Sequence, residues 1–308
     1  MTDLLLHHYD GSPFSEKVRL ALGWKGLAWR SVIQPNMMPK PHLVPLTGGY
    51  RRIPVLQVGA DVYCDSQLIA RVIERLHPEP TLFPGGSQGL CLATGFWADR
   101  LLFLATVPVV FAAIGPAVPR EFVEDRTKLM GGRGGFSAMM TPQHAAAAAD
   151  SLRAHAAFLE TQLSDGRDYL LGRAPSLADF SAYHPVWFLR SIPPVAKTLE
   201  RFTRIGAWAD RVAAIGHGRR VECSPEEALR VARESQPAAL EHGVDPLEPQ
   251  GFAAGERVRV SADDYGFEPV EGALLRADVH EIAVLREAPE VGEVAIHFPR
   301  AGFRVERA

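Results

Sequence analysis

The sequence predicts an α/β unit over residues 1–84, an all-α unit over 85–215, a linker with one short helix over 216–250, and a small all-β module over 251–308. Three observations carry that division. Apolar runs of strand length alternate with stripes of helical period through the first quarter of the chain. From Gly89 to about Ile215 the helical period persists almost alone. After residue 250, short alternating apolar runs are separated by Gly, Pro or Asp.

In order, Leu4 to His8 reads as a strand. A helix follows, with Ser12 as N-cap and Pro13 at its first position, where a missing N–H costs nothing; Phe14, Val18, Ala21, Leu22 and Lys25 recur at helical spacing. Residues 28 to 33, with Trp29, Val32 and Ile33, give a second strand. Four prolines and two glycines make 34–52 a loop with at most a short helix. Pro54 to Val58 and Val62 to Cys64 form a hairpin about Gly59-Ala60-Asp61. From Ser66, the residues Ile69, Val72, Ile73 and Leu76 trace a helix that Pro78 ends, so the order is βαβ, loop, ββα.

In the second unit, Leu152, Ala156, Leu159 and Leu163 mark one helical stripe, while Leu199, Phe202 and Val212 mark another. Thr141-Pro142 starts a helix, and Ser176 with Asp179 forms a capping box before Phe180. The run Gly131-Gly132-Arg133-Gly134-Gly135 lacks a preceding strand and a following Gly-Lys-Ser/Thr, so it reads as an interhelical loop and not as a phosphate cradle. Leu101 to Ile114 is the longest apolar stretch. It falls short of the about 20 residues of a bilayer span and is broken by Pro108, which suggests a buried helix. Ser224 and Glu227 cap the linker helix. Val258 and Val260, the run Ala273 to Leu285, then Val294, Ile296 and Phe298, then Phe303 and Val305, space out about five strands.

Composition narrows the function. The 308 residues are 47% hydrophobic and 22% charged with a net charge of -3, which leaves no electrostatic footprint for nucleic acid or an anionic membrane. Residues 251–308 carry 11 acidic against 7 basic side chains, contrary to an oligonucleotide-binding barrel. Cys64, Cys91 and Cys223 are an odd set without a Cys-x-x-Cys pair; no disulfide framework or metal site is expected, and a reducing, cytoplasmic setting fits. No basic segment followed by an apolar run opens the sequence.

Three short motifs fall in order within the first quarter of the chain: Tyr9-Asp10-Gly11-Ser12-Pro13-Phe14-Ser15, then Arg52-Ile53-Pro54-Val55-Leu56, then Asp65-Ser66. The first opens a helix. In the second, an X-Pro bond at the mouth of a strand leaves the preceding backbone N–H and C=O free to face outward. The third opens another helix, whose first N–H groups and positive dipole end attract a carboxylate. His7 and His8 flank Tyr9 without a Cys or carboxylate at ligand spacing and read as structural. Cys64 reads as a thiol inside a strand.

Together these motifs make residues 3 to about 215 resemble a soluble glutathione transferase: a thioredoxin-like domain followed by a helical one. The β module lies outside the usual pattern. The resemblance implies a cis Pro54, an Ile53 backbone that pairs with the cysteinyl part of glutathione, and Ser66 and Asp65 at the γ-glutamyl end. Arg52 stands where relatives place the residue before the Ile-Pro pair and so is implied at the glycyl carboxylate, with Arg51 competing. Ser12 falls where serine-type classes, resembling tau and zeta, put the activating hydroxyl and omega-type enzymes a cysteine. Tyr9 is its rival, aligned with the tyrosine of alpha-, mu- and pi-like enzymes. A thiol of pKa near 8.5 is only a few per cent thiolate at pH 7, so a hydroxyl that lowers it by about two units matters. Phe14, Trp97 and Arg100, with Phe96 and Phe103 nearby, are implied at the hydrophobic co-substrate site. A homodimer that acts on a small electrophile is the family expectation; a catalytically weak binding or scaffold protein working through its β module is the alternative.

Overall fold

The computed structural model describes residues 3–132, 135–238 and 243–308, so Arg133 and Gly134 of the glycine run lie outside the described residues. Strand β1 (Leu5–His8), helix α1 (Pro13–Trp24) and strand β2 (Ala28–Ile33) form a parallel βαβ unit. After the short α2 (Val44–Thr47), the hairpin β3 (Val55–Val58) and β4 (Asp61–Cys64) adds antiparallel to β1, and α3 (Ser66–Leu76) closes the unit. This is the expected thioredoxin-like order.

Helix α1 begins as its sequence dictates. Ser12 is extended, its Oγ accepts from the Ser15 N–H at 3.2 Å, and Pro13 takes the first helical position. The helix is covered on two sides. Val18 and Leu22 pack with Leu4, Leu6 and Ile69, whereas Leu20 and Ala21 join the core of the helical unit. Its charged residues are therefore buried and must be paired. Glu16 meets Arg19 at 2.7 Å and His217 at 3.0 Å, and Lys17 meets Asp99 at 2.7 Å.

In the helical unit, α4 (Gln88–Trp97) runs through a π-helical turn at Ala98–Leu102 into α5 (Phe103–Ile114). This 27-residue run is long and apolar enough to cross a bilayer by length and composition, yet its Leu102, Val109 and Val110 are buried among the other helices. Pro108 lies within α5 and does not end it. The remaining helices are α6 (Arg120–Leu129), α7 (Gly135–Met139), α8 (Pro142–Gln162), α9 (Leu177–Arg190) and α10 (Thr203–Ala213). The Ser176–Asp179 capping box forms, and Asp179 also accepts from the Trp208 indole at 2.8 Å.

Residues 216–250 hold a strand as well as the expected helix. Strand β5 (Arg219–Glu222) pairs parallel with β2 before α11 (Pro225–Arg233). All four residues of β5 are exposed, so it leaves no alternating pattern in the sequence.

The last segment supplies β6 (Arg257–Ala262), β7 (Val270–Ala277), β8 (Glu281–Ala288), β9 (Gly292–Pro299) and β10 (Phe303–Arg307). They do not form a sheet of their own. Strand β9 pairs parallel with β4, placing Tyr63 opposite His297, and one ten-stranded sheet results in the order β10-β6-β7-β8-β9-β4-β3-β1-β2-β5. Leu43, Leu46, Tyr50 and Val62 share a core with Val260, Leu274, Ile296 and Phe298. Gly48 ends α2 at φ 64°, where a Cβ would lie 2.9 Å from a Val270 methyl, so a glycine serves both the turn and the close approach of β7.

One polar chain crosses the seam. The His297 ring bonds to Asp61 at 3.0 Å and to Glu281 at 2.7 Å, beneath the stacked ring of Tyr63. Burial opposes its charge, but the two carboxylates outweigh that and raise its pKa above the ordinary value.

Candidate functional site

The three sequence motifs converge where α1, the β3 mouth and α3 meet. Ser12 is 2% exposed and spends one oxygen lone pair on the helix cap, which leaves its O–H hydrogen uncommitted. The Tyr9 carbonyl accepts from the Ser12 N–H at 3.1 Å, and both residues line the same cleft. The Ile53–Pro54 bond is cis, and neither the N–H nor the C=O of Ile53 is hydrogen-bonded within the described residues.

Asp65 has φ 76°, a left-handed backbone uncommon for a non-glycine residue, and its Oδ1 caps α3 by accepting from the Gln67 N–H at 2.9 Å. Burial pushes its carboxyl up more than that bond pulls it down. Ser66 is the first residue of the helix and is buried. A negative group over Ser66 and a positive one at Asp65 would both be favoured there.

Two cavities share this region. The larger is a cleft of about 440 Å³. Tyr9, Ser12, Phe14, Ile53, Lys40, Arg51 and Arg126 line it together with Phe103, Val107, Phe111, Phe122, Phe136 and Phe188, the Arg126 guanidinium lying 4.5 Å from the centre of the Phe122 ring. The smaller, about 50 Å³, lies over Ile53, Pro54, Asp65 and Ser66. Phe14, Arg52, Ile53 and Tyr265 border both.

The smaller compartment is closed by the C-terminal strands. Arg52 is held by the Asp264 carboxylate and the Tyr265 carbonyl, and its guanidinium lies 3.8 Å from the centre of the Tyr265 ring. The phenol of Tyr265 is pushed up to about 12, chiefly by burial. Arg100 donates to Asp263 at 2.5 Å and sits over the Phe96 ring. Gly302 packs against Arg100, and Phe303 completes the wall. The turn between β6 and β7 is also tied to α6, the Gly266 N–H donating to the Leu129 carbonyl at 2.7 Å.

Among the sequence candidates, Ser12, Tyr9, Phe14 and Ile53 meet at the cleft, and Pro54, Asp65, Ser66 and Arg100 meet at the compartment. Trp97 lines neither cavity; its indole donates to His155 on α8 at 3.2 Å. Arg51 pairs with Asp125 at 3.0 Å. Tyr265, Asp264, Lys40 and Arg126 carry no local signal in the sequence, because their placement depends on how distant segments dock.

His7 bonds to Gln57 at 2.9 Å, and burial takes its pKa down to about 4. Burial, with the nearby Arg19, takes His8 to about 3, so both are neutral core residues. Burial raises the Cys64 thiol well above its ordinary value, which leaves it inert. Among the described residues no three His, Cys, Asp or Glu side chains gather as metal ligands.

Residues 6–81 match the family model described as glutathione S-transferase, N-terminal domain, and residues 142–211 the one described as glutathione S-transferase, C-terminal domain. No curated protein matches the chain. Among solved structures, a GST-like protein from Pseudomonas syringae is 39% identical over the full length of both chains, with a TM-score of 0.82, and so extends through the C-terminal strands. A glutathione S-transferase from Rhodospirillum rubrum F11 is 20% identical over 68% of this chain and 88% of its own, with a TM-score of 0.54. A Tau class glutathione S-transferase from mango, Mangifera indica, is 17% identical over 69% and 89%, with a TM-score of 0.53. The last two share the fold with the first two units of this chain.

Proposed function

Because this chain belongs to the glutathione S-transferase family, we propose that it is a serine-type glutathione transferase in which Ser12 stabilises the glutathione thiolate for attack on a small electrophile. The observation that carries this reading is the shared wall: Ile53 and Phe14 border both the compartment over Asp65 and Ser66 and the apolar cleft that holds Ser12. The γ-glutamyl carboxylate of glutathione would sit on the Ser66 end of α3, its ammonium on Asp65, and its cysteinyl amide on the unpaired Ile53 backbone. The sulfur then points toward Ser12 and Tyr9. The thiol proton leaves to solvent, the Ser12 O–H donates to the thiolate, and the sulfur pair forms a bond to the electrophilic carbon while that carbon's bond to its leaving group breaks and the leaving group departs to solvent with the pair. A reducing cytoplasmic setting suits three buried, unpaired cysteines, and two copies are expected to pair through the helical unit.

Conjugation of a model electrophile followed against pH tests this. Ser12→Ala is expected to raise the pH at which kcat/KM half-develops by about two units, while Tyr9→Phe leaves it in place. The reverse pattern would move the role to Tyr9.

A second reading has one specific observation in its favour. With Arg52 held by Asp264 and Tyr265, the compartment over Asp65 and Ser66 is about 50 Å³, far below the roughly 300 Å³ at which small-molecule sites begin. A binding protein working through its β module would need no glutathione. Calorimetry with millimolar glutathione separates the two: the transferase reading expects binding by wild type that tightens in Tyr265→Gly, and the alternative expects none in either.

A further inference from the structure

We propose that the outer edge of β10 is a docking surface for a second copy of this chain, the two β10 strands pairing antiparallel about a two-fold axis at Val305 and joining two ten-stranded sheets edge to edge. This surface is separate from the helical unit through which two copies are expected to pair, and its use needs no glutathione.

Strand β10 ends the sheet, with β6 as its one strand neighbour. Hydrogen bonds at either end of that ladder set its phase: the Asp263 N–H donates to the Gly302 carbonyl at 3.0 Å and the Ala308 N–H to the Arg257 carbonyl at 3.1 Å. Such pairs recur at every second residue of an antiparallel ladder, so Arg304 and Glu306 bond to β6 while the N–H and C=O groups of Phe303, Val305 and Arg307 turn to the outer edge. Among the described residues none of these outward groups has a hydrogen-bond partner. A row of unpaired edge groups is a template for another strand.

The side chains select which strand. Phe303 and Val305 are buried, whereas Arg304 and Glu306 are exposed on the other face, and neither has an ion pair or a side-chain hydrogen bond among the described residues. Glu306 stands opposite Arg259 of β6, but that guanidinium is turned to Glu271 at 2.7 Å, and Arg307 is taken by Glu256 at 2.7 Å. Against a second β10 centred on Val305, Arg304 of each copy comes opposite Glu306 of the other, at the non-hydrogen-bonded positions where facing side chains lie closest. Centring on Arg304 or on Glu306 would instead set like charges face to face and pair fewer residues, so charge selects a single register. The other end of the sheet offers no equivalent, because Arg220 of the exposed β5 is already held by Asp10 and Glu222, both at 2.7 Å. One strand edge is a small interface, so this pairing fills toward millimolar chain concentration and leaves micromolar solutions unaffected.

Disulfide trapping tests the register on the full chain. Cys64, Cys91 and Cys223 are buried, so thiols placed on the outer face of β10 are the accessible ones. Facing Cα atoms at these positions lie about 4.5 Å apart, within disulfide reach, whereas like positions fall two residues out of register and beyond it. An equimolar mixture of Arg304→Cys and Glu306→Cys chains, oxidised by copper phenanthroline near millimolar concentration, is expected to give about tenfold more cross-linked dimer than either variant alone. Sedimentation over the same concentration range tests the charges, in a Phe158→Glu background that takes the exposed ring of α8 out of the comparison. There Glu306→Arg is expected to weaken self-association about tenfold, and Arg304→Glu combined with Glu306→Arg to restore it. Cross-linking that is absent, or equal in the mixture and the single variants, would overturn the proposal. So would self-association that ignores Glu306→Arg, or a double variant that associates as weakly as the single one.

Discussion

At the scale of single residues, Ser12 is a helix cap to which the proposed function adds a second role. The cap uses an acceptor lone pair and the thiolate would use the donor hydrogen, so the two roles do not compete. The residue was legible because Ser-Pro at a helix start has a local meaning; Ile53, Asp65 and Ser66 were legible for similar reasons. Lys40 was not. Its importance comes from Arg126 and Asp125 arriving from α6, and no local pattern encodes that. Its depressed pKa has a consequence for stability. Arg51, Arg126 and Asp125 are the charged groups that face it, and the folded state releases its proton near pH 7 whereas the unfolded chain holds it to about 10.5. Between those values the unfolded state binds more protons, so stability rises with pH. Urea unfolding of wild type and Lys40→Met is expected to show wild type gaining on the variant from pH 7 to 9; a constant difference would contradict this.

Among elements, strand and helix existence followed from periodicity, whereas edges and partners did not. Strand β5, with the sequence Arg-Arg-Val-Glu, has no buried face, so nothing in its pattern distinguishes it from linker. The union of β9 with β4 was equally hidden, because β9 reads as an ordinary buried strand whichever neighbour it finds. Its polar lock, His297 between Asp61 and Glu281, joins residues far apart in sequence. The folded pKa of His297 lies above its ordinary 6.5, so its contribution is complete below that value and is lost as pH rises through the raised one. His297→Gln is expected to cost about 3 kcal/mol or more near pH 6, since it leaves two buried carboxylates short of a partner. The gap should narrow toward alkaline pH. Chemical unfolding at a series of pH values checks both statements.

For the whole molecule, one apolar surface remains to be covered. Leu90, Trp97 and Leu101 recur on one face of the long α4–α5 run, and Phe158 of α8, 61% exposed, lies against Trp97. A second copy is the occupant that the family reading supplies. Sedimentation is expected to give a dimer for wild type and a monomer for Phe158→Glu, with the thermal midpoint of the isolated monomer little changed because the side chain is exposed. Here too Trp97 belongs to the surface of α4 and α8 and lines neither cavity, whereas the family resemblance had implied a place for it with the co-substrate residues.

The ten-stranded sheet sets how the compartment over Asp65 and Ser66 can open. A β unit attached by a tether would swing away as a body, but here the β4–β9 ladder and the common core would have to break first. What stands over the compartment locally is the turn from Asp263 to Pro269 between β6 and β7, whose contacts run to Arg52, Arg100 and the Leu129 carbonyl. Admission of a ligand is thus a matter of releasing Arg52, Arg100 and the Leu129 carbonyl, three handholds on a short latch mounted on a fixed frame.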